Sequence, residues 1–343
     1  MKNSTLNLFN TKIHPGERLN LALPFPELFS CTALHMPIKV VHGKEAGPCV
    51  LIFAAVRDDE LNGMEIINRL LQLKQFGHLR GTLIAVPVIN IPGLFNQSKT
   101  LALAYETNLD NCFPGKPDGS YGERIAHVLT QELFIKADYC IELQTGSLNH
   151  DLLPQIYCNF AKSGNKDLAQ CFGVPVITNI GDSQNSLQQT FEQLNIPHII
   201  YKAGEAMRFD ELAIQLGLLG VQSVMRHLDM WDLDETEKTP LIIDSIYSQD
   251  QEWLRAHFSG VLHSDLRLGQ RIKNKQVLGY ISDPFSADTG EQIKSTQDGV
   301  VVGINRNPLI HEGQTIFKIA SFLDNSRAEI ALEVWNDVVG LET

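Results

Sequence analysis

Residues 47–60 read GPCVLIFAAVRDDE, a turn signal followed by eight apolar residues and then by four charged ones. An unbroken apolar run of this length is typical of a strand that is buried on both faces of a parallel sheet. Residues 61–74 follow with apolar side chains at helical spacing, and residues 82–90 (TLIAVPVIN) form a second apolar run. The order of strand, helix and strand predicts an α/β unit.

The same alternation continues along the chain as far as residue 227. It predicts helices over 121–133, 184–194 and 209–227 and strands over 137–143, 174–178 and 196–202. The pattern therefore predicts an α/β fold with a mostly parallel or mixed sheet flanked by helices. Active sites in such sheets lie at the carboxyl ends of the strands. We expect the site at residues 56–60, 143–145 and 201–205.

The residue pattern changes after about residue 232, where short β-rich runs are separated by turn signals. Strands are predicted over 241–246, 260–263, 277–281, 299–304 and 315–319. This spacing predicts a small C-terminal β-barrel or sandwich. The predicted organisation is a large domain over 1–235, a β-rich domain over 236–320 and a helical tail over 321–343. Ile330, Val334 and Val338 would form the apolar face of that tail.

Composition limits the classes of partner. The chain has 28 Lys+Arg and 40 Asp+Glu, a formal charge of −12, which argues against a nucleic-acid partner. The longest apolar run is far shorter than the roughly 20 residues of a membrane helix, and residues 1–10 lack the apolar core of a secretory signal. Six scattered cysteines without a CxxC pair indicate reduced thiols: Cys31, Cys49, Cys112, Cys140, Cys158 and Cys171. We expect a cytoplasmic protein with no membrane partner, and the oligomeric state is left open.

Several motifs resemble one enzyme family. They are AAVRDDELNG at 54–63, GTLIAVPVINIPGLFNQS at 81–98, FPG at 113–115, ADYCIELQTGS at 137–147, LPQ at 153–155 and AGEAMRFDE at 203–211. Together they resemble the succinylglutamate desuccinylase/aspartoacylase family of zinc-dependent deacylases. Residues 269–285 and 298–320 resemble the β-domain appended in that family. The resemblance implies a zinc carboxypeptidase-like fold and a metal-dependent hydrolase of amide or ester bonds.

The family's zinc ligands are replaced at two of three positions. In the family pattern, zinc is held by the His and Glu of a His-Gly-Asp-Glu segment and by the His of an Asp-Leu-His-Thr-Gly segment. Here Arg57 and Gln144 stand at the two His positions, and Glu60 alone is retained. Arginine has no lone pair to offer and glutamine is a weak zinc ligand. We therefore expect no metal cofactor in this chain, and zinc only if the family's site persists.

The other catalytic positions are also changed. Lys202 stands where the family carries its general-base Glu, and it is not expected to act as that base. The family's substrate-binding Asp-Leu-Asn-Arg segment is replaced by one that contains Asn108, Asp110 and Asn111 and lacks the guanidinium group. Without metal or base, the attacking water keeps a pKa near about 15.7. Hydrolysis of the family's type is therefore not expected.

The first interpretation is a member of the family that keeps the fold and lacks the reaction. Arg57 and Lys202 would supply the positive charge that zinc provides in relatives, and the cleft would hold a small carboxylate without cleaving it. A simpler version leaves the pocket closed, with Arg57 and Glu60 as a plain ion pair.

The second interpretation is a working hydrolase that acts on N-acyl amino acids or similar small acids. It requires substitute metal ligands near the site. His150, Asp58 and Glu205 are the candidates that lie near the relevant segments in the sequence.

Overall fold

The computed structural model describes residues 2–24, 35–95, 108–182, 186–232, 245–285 and 290–339. Cys31 and most of the strand predicted over 241–246 lie outside the described residues, as do the first two residues of the helix predicted over 184–194. Within the described ranges, no helix is both long enough and apolar enough to cross a membrane.

The secondary structure alternates in the first two thirds of the chain and is mostly β in the last third. The strands are β1 (Leu6–Leu8), β2 (Thr11–Ile13), β3 (Arg18–Pro24), β4 (His35–His42), β5 (Glu45–Ala54), β6 (Arg80–Val86), β7 (Tyr139–Gln144), β8 (His150–Cys158), β9 (Val176–Asn179), β10 (His198–Gly204), β11 (Ile246–Ser248), β12 (Asp250–Arg255), β13 (Gly260–His263), β14 (Arg271–Ile272), β15 (Val277–Ser282), β16 (Glu291–Lys294), β17 (Gly299–Asn305), β18 (Leu309–Ile310) and β19 (Thr315–Ser321). The α-helices are α1 (Asn62–Leu71), α2 (Ile91–Phe95), α3 (Tyr121–Glu132), α4 (Asn165–Phe172), α5 (Ser186–Leu194), α6 (Glu211–His227) and α7 (Asn325–Val339). Short 3₁₀ turns span Lys74–His78, Leu109–Cys112 and Phe134–Lys136.

The central position of strand β5 in the sheet explains why its sequence is apolar without alternation. Val50 and Ile52 belong to one core cluster, and Leu51 and Phe53 belong to a second cluster on the opposite face of the sheet. Helices α1, α4 and α6 cover the first face, while α3 and α5 cover the second. Both faces are therefore dry over residues 50–54, and each position in this part of the strand favours an apolar residue.

The main sheet is mixed, and the predicted α/β fold is confirmed. Its central order is β8-β10-β7-β5-β6-β4-β3, with parallel pairing from β10 through β6 and antiparallel pairing on both sides. The elements that were not predicted from the sequence are strands β1–β4, β8, β12, β14, β16 and β18 and helices α2 and α4. Strand β8 contains Pro154 and Gln155, which weaken its strand pattern.

The C-terminal strands form a sandwich that continues the main sheet. Strands β13, β15, β16 and β18 make an antiparallel sheet, and it shares a core with β12, β14, β17 and β19. Strand β17 also pairs with β8, where Gly303 lies opposite Leu152. Hydrogen bonding thus runs across the domain boundary predicted near residue 235, and it brings C-terminal side chains beside the main sheet.

Helix α7 occupies most of the predicted helical tail, but its buried face differs from the predicted one. Ala328, Leu332 and Trp335 are buried, whereas Ile330 and Val334 are 61% and 56% exposed. The side chain of Val338 lies outside the described residues. The helix carries two apolar stripes at helical spacing, and the stripe that contains Trp335 is the one that packs against the sheet.

The start of α1 is packed too closely for any side chain at Gly63. A Cβ atom there would lie 2.6 Å from the Cβ of Ala54 and 2.8 Å from that of Leu143. We expect Gly63→Ala to lower the free energy of unfolding by about 2 kcal/mol, measured by urea denaturation. Gly77→Ala is the matched control, because a Cβ at Gly77 meets nothing within 4 Å, and it should change stability by less than about 1 kcal/mol. Equal losses in both variants would contradict this close packing.

Candidate active site

The candidate site lies where β5, β7 and β10 end, as the strand order predicts. Arg57 and Glu60 occupy the loop between β5 and α1, Gln144 ends β7, and Lys202 lies near the end of β10. Ala55, at the start of the loop, has a φ of 51°, a left-handed conformation that is uncommon for alanine. The loop thus leaves the strand sharply, which aims the following residues across the strand ends.

Cross-strand register gathers polar side chains on one face of the sheet. Glu142 lies opposite Phe53, Gln144 lies opposite Lys202, and Lys202 lies opposite Gln155. Residues that pair across strands point to the same face. Glu142, Gln144, Lys202 and Gln155 therefore form a polar row on an otherwise apolar face.

Arg57 lies at the centre of a network of hydrogen bonds and ion pairs. Its Nη2 atom donates to Gln144 Oε1 at 3.2 Å and lies 3.2 Å from Glu60 Oε1. The Gln144 amide in turn donates to Glu142, which lies 3.2 Å from His198 Nε2. Glu60 and Glu142 are each only 1% exposed. The guanidinium group thus faces a carboxyl group that burial makes costly to ionise.

This donor set does not fit the zinc site of the family pattern. A guanidinium group has no lone pair, and it lies between the two side chains that would have to converge on a metal. Gln144 Oε1 is already bonded to Arg57. Within the described ranges, no three His, Cys, Asp or Glu side chains are grouped closely enough to hold a metal ion.

Burial dominates the protonation of the ionisable groups around Arg57. It raises the pKa of Glu60 to about 8 against the opposing attraction of Arg57 and Lys202. Burial, reinforced by Glu142, raises the pKa of Asp110 to about 6. The pKa of Lys202 is lowered, first by burial and then by repulsion from Arg57. These shifts reduce the charge that the cleft carries at neutral pH.

Only one member of the predicted substrate segment reaches the network. Asp110 is buried and close enough to Arg57, Glu142 and Lys202 to exchange electrostatic effects with them. Asn108 is exposed and caps the 3₁₀ turn by accepting a hydrogen bond from the Asp110 amide. Asn111 is exposed.

The three substitute ligands proposed from the sequence do not converge. His150 bonds Thr315 Oγ1 at 2.7 Å and the Leu148 carbonyl at 3.0 Å. Glu205 accepts a hydrogen bond from the Asn149 amide at 3.1 Å. Asp58 is exposed. Each is occupied by a loop contact or faces solvent.

Sequence reasoning missed Glu142 and His198 as parts of the network. The signal for Glu142 was present, because Glu142 and Gln144 are polar residues two positions apart in an otherwise apolar strand. His198 is buried and stacks against Phe191, with ring centres 4.5 Å apart. Its partner Glu142 is 56 residues away, and no local pattern indicates that pairing.

With this geometry established, the chain can be compared with known proteins. The sequence model of the succinylglutamate desuccinylase/aspartoacylase catalytic domain matches residues 46–228, more than half of the chain. The chain belongs to this family. The match includes Arg57, Glu60, Gln144 and Lys202, so the network described above lies inside the matched catalytic domain.

Individual members of the family are distant in sequence and similar in fold. N-alpha-acetyl-L-2,4-diaminobutyric acid deacetylase from Halomonas elongata is 22% identical over 307 residues, which are 85% of this chain and 87% of that protein. A succinylglutamate desuccinylase/aspartoacylase structure from Rhodobacter sphaeroides aligns with a TM-score of 0.77 at 19% identity, covering 89% of this chain and 96% of that one. The product-bound ectoine utilization protein from Ruegeria pomeroyi gives a TM-score of 0.76 at 18% identity, with coverage of 88% and 95%. The fold of the deacylase family is therefore shared over nearly the whole chain.

Proposed function

We propose that this protein binds a small carboxylate in the cleft at Arg57 and does not hydrolyse it. The supporting observation is the state of the Arg57 side chain, which is 32% exposed. Its buried Nε atom has no hydrogen-bond partner among the described residues. A buried donor without a partner is costly, and a carboxylate oxygen is the strongest acceptor that a guanidinium group meets. Arg57 thus forms an ion pair with Glu60 and still has donor capacity for a ligand.

The chemistry of the cleft argues against the family's reaction. Hydrolysis requires a Lewis acid or an activated water, together with a base to accept the proton. Arg57 and Gln144 replace two of the metal ligands, and Lys202 replaces the base. These groups can orient and neutralise an acid but cannot generate a hydroxide. We propose accordingly that the protein needs no metal cofactor and that its partner is a small carboxylate.

A second candidate function is a deacylase that works on N-acyl amino acids through an unfamiliar metal site. The similarity to the N-alpha-acetyl-L-2,4-diaminobutyric acid deacetylase favours this alternative. Its substitute ligands would have to leave their present hydrogen bonds, since His150 and Glu205 are both engaged. The two candidates make opposite predictions for acetate release.

We expect the unmodified protein to bind small acids and to release no acetate from N-alpha-acetyl-L-2,4-diaminobutyric acid, with or without added zinc. Binding is measured by calorimetry and acetate release by proton NMR. Arg57→Ala should weaken carboxylate binding by about tenfold, because a charge-assisted hydrogen bond contributes about 1.5 kcal/mol or more. Arg57→Lys keeps the positive charge beside Glu60 and serves as the folding control. Unchanged binding in Arg57→Ala would disprove the proposal, and zinc-dependent acetate release would establish the deacylase.

A further inference from the structure

Two lysines, Lys202 and Lys318, lie around the ring of Tyr157, beside the network of Arg57. Lys202 Nζ is 5.7 Å from the ring centre, and Lys318 Nζ is 5.1 Å from it. Lys318 Nζ also lies 6.0 Å from the Trp253 ring centre. All four side chains are half-buried, so water can reach this group of side chains, which we call the recess. An ammonium group near the face of an aromatic ring is stabilised, but the ring has no net charge and does not neutralise the ammonium group.

This cluster joins the two parts of the fold. Tyr157 and Lys202 belong to β8 and β10 of the main sheet, and Lys318 and Trp253 belong to β19 and β12 of the C-terminal sandwich. Trp253 lies directly opposite Lys318 across the strand pair. The recess therefore exists only because the C-terminal strands continue the main sheet through β17.

The position of Lys318 is fixed by a chain of hydrogen bonds. Its Nζ atom donates to Tyr157 Oη at 2.8 Å, and Tyr157 Oη donates to Gln251 Oε1 at 2.8 Å. The Gln251 amide donates to Gln155 Oε1 and Thr178 Oγ1, each at 2.7 Å. The tyrosine hydroxyl is thus committed to Gln251, while an ammonium group has two further protons to donate. Lys318 is pre-organised with donor capacity left over.

The two amines of the recess form no close ion pair, although Glu60, Glu142 and Asp110 attract Lys202 from a longer distance. Neither Lys202 nor Lys318 has an Asp or Glu oxygen within 4.0 Å among the residues that the structure describes. By contrast, Lys162 Nζ lies 3.7 Å from Glu192 Oε2. Burial and repulsion from Lys202 lower the pKa of Lys318 to about 7. An oxyanion between the two amines would relieve this repulsion and favour their charged forms.

We propose that Lys318, Lys202 and Tyr157 form a binding site for an oxyanion, either a carboxylate or a phosphate group, that the C-terminal strand β19 completes. This site goes beyond the proposed carboxylate cleft at Arg57, with which it shares Lys202. Its distinctive member is Lys318, which lies outside the match to the family's catalytic domain.

The test measures binding of inorganic phosphate and of acetate by calorimetry at about neutral pH. Lys318→Met should weaken binding of one or both anions by about tenfold, since it removes a charge-assisted hydrogen bond. Lys318→Arg, which keeps the charge, should restore most of the affinity. Lys166→Met is the matched control, because Lys166 Nζ also lies over aromatic rings, 4.9 Å from that of Tyr247, but on the exposed surface. Loss in the phosphate arm alone identifies a phosphate site, and loss in the acetate arm alone identifies a carboxylate site.

The same binding measurements, made on Arg57→Ala and Lys318→Met, distinguish failure of this inference from failure of the proposed function. If Arg57→Ala loses acetate binding while Lys318→Met keeps both affinities, the oxyanion site is disproved and the Arg57 cleft stands. If Lys318→Met loses binding while Arg57→Ala does not, the oxyanion site stands and the Arg57 cleft is disproved. An unmodified protein that binds neither anion overturns both.

A measurement on the unmodified protein removes any dependence on how the variants fold. Reductive methylation consumes the neutral amine, and mass spectrometry reports its rate at each lysine. A bound anion that raises the pKa of Lys318 by about one unit would roughly halve its neutral fraction at about pH 8. Phosphate or acetate should therefore slow methylation of Lys318 at least about twofold and leave Lys166 unchanged. Equal rates at Lys318 with and without both anions would overturn the site.

Discussion

Chelator-stripped protein is expected to bind zinc roughly a thousandfold more weakly than a variant that carries Arg57→His, Gln144→His and Lys202→Glu. The three changes restore the family's ligands and base on a framework that already holds Glu60 in place. Arg57 and Gln144 are hydrogen-bonded to each other, so their side chains already approach the same point beside Glu60. Two imidazoles and a carboxylate can share zinc there, whereas a guanidinium group repels it.

Calorimetric titration of both proteins measures this difference directly. Adding Glu60→Ala to the triple variant is the control, because it removes the retained ligand and should abolish the new site. Stoichiometric, tight zinc in the unmodified protein would contradict the prediction and turn attention to His150, Asp58 and Glu205. Acetate release by the triple variant would further indicate that the remaining framework is still suited to the family's reaction.

Arg57→Ala is expected to lower the free energy of unfolding by about 3 kcal/mol at about pH 8.5, the lower end of the range for broken buried ion pairs. Glu60 is 1% exposed and would lose its cation. The lower end applies because Arg57 itself is 32% exposed. Adding Glu60→Gln to the variant should recover much of the loss, since it removes the carboxylate that lacks a partner.

The loss in free energy of unfolding caused by Arg57→Ala should become smaller as the pH falls. Burial already holds the pKa of Glu60 near about 8, above its ordinary value of 4.5, so the folded state binds a proton that the unfolded state releases. Removing Arg57 raises that pKa further. Between about pH 4.5 and 8 both proteins lose stability together, and above about pH 8 only the variant continues to do so. The difference between them is therefore smaller at about pH 5.5 than at about pH 8.5.

Urea denaturation at the two pH values, with Arg69→Ala as the matched control, checks both statements. Arg69 has nearly the same exposure as Arg57, 33% against 32%, but its partner Glu211 is 59% exposed. Its removal should cost less than about 1 kcal/mol at either pH. Equal losses for the two arginines would show that the burial of Glu60 has no influence on stability.

Much of the main domain could be predicted from local pattern. The run at residues 49–56 predicts a strand buried on both faces, and the structure divides its alternate side chains between two cores. Strand β8 could not be predicted in this way, because Pro154 and Gln155 interrupt its pattern. Gln155 is nevertheless fully buried, since it accepts a hydrogen bond from Gln251 of the C-terminal strands.

The candidate site was partly predictable. Family motifs point to Arg57, Glu60, Gln144 and Lys202, and the register of β7 and β10 together with the loop after β5 brings them together. The motifs do not reveal that Arg57 bridges Glu60 and Gln144, because a hydrogen bond depends on side-chain positions in three dimensions. The proposed rescue of a metal site by His150 likewise depended on proximity in sequence, and the fold directs that side chain to Thr315 instead.

The sequence by itself determined the α/β order, the position of the strand ends and the identity of the residues at the positions of the family's motifs. These features depend on the spacing of neighbouring residues and on the chemistry of single side chains. Only the tertiary structure decided which stripe of α7 is buried and how Lys318 meets Tyr157, a residue 161 positions away. The sequence pattern does not distinguish the two apolar stripes of one helix, and only packing against the sheet determines which stripe is buried. Likewise, Lys318 and Tyr157 become partners only because β17 pairs with both of their strands, β19 and β8.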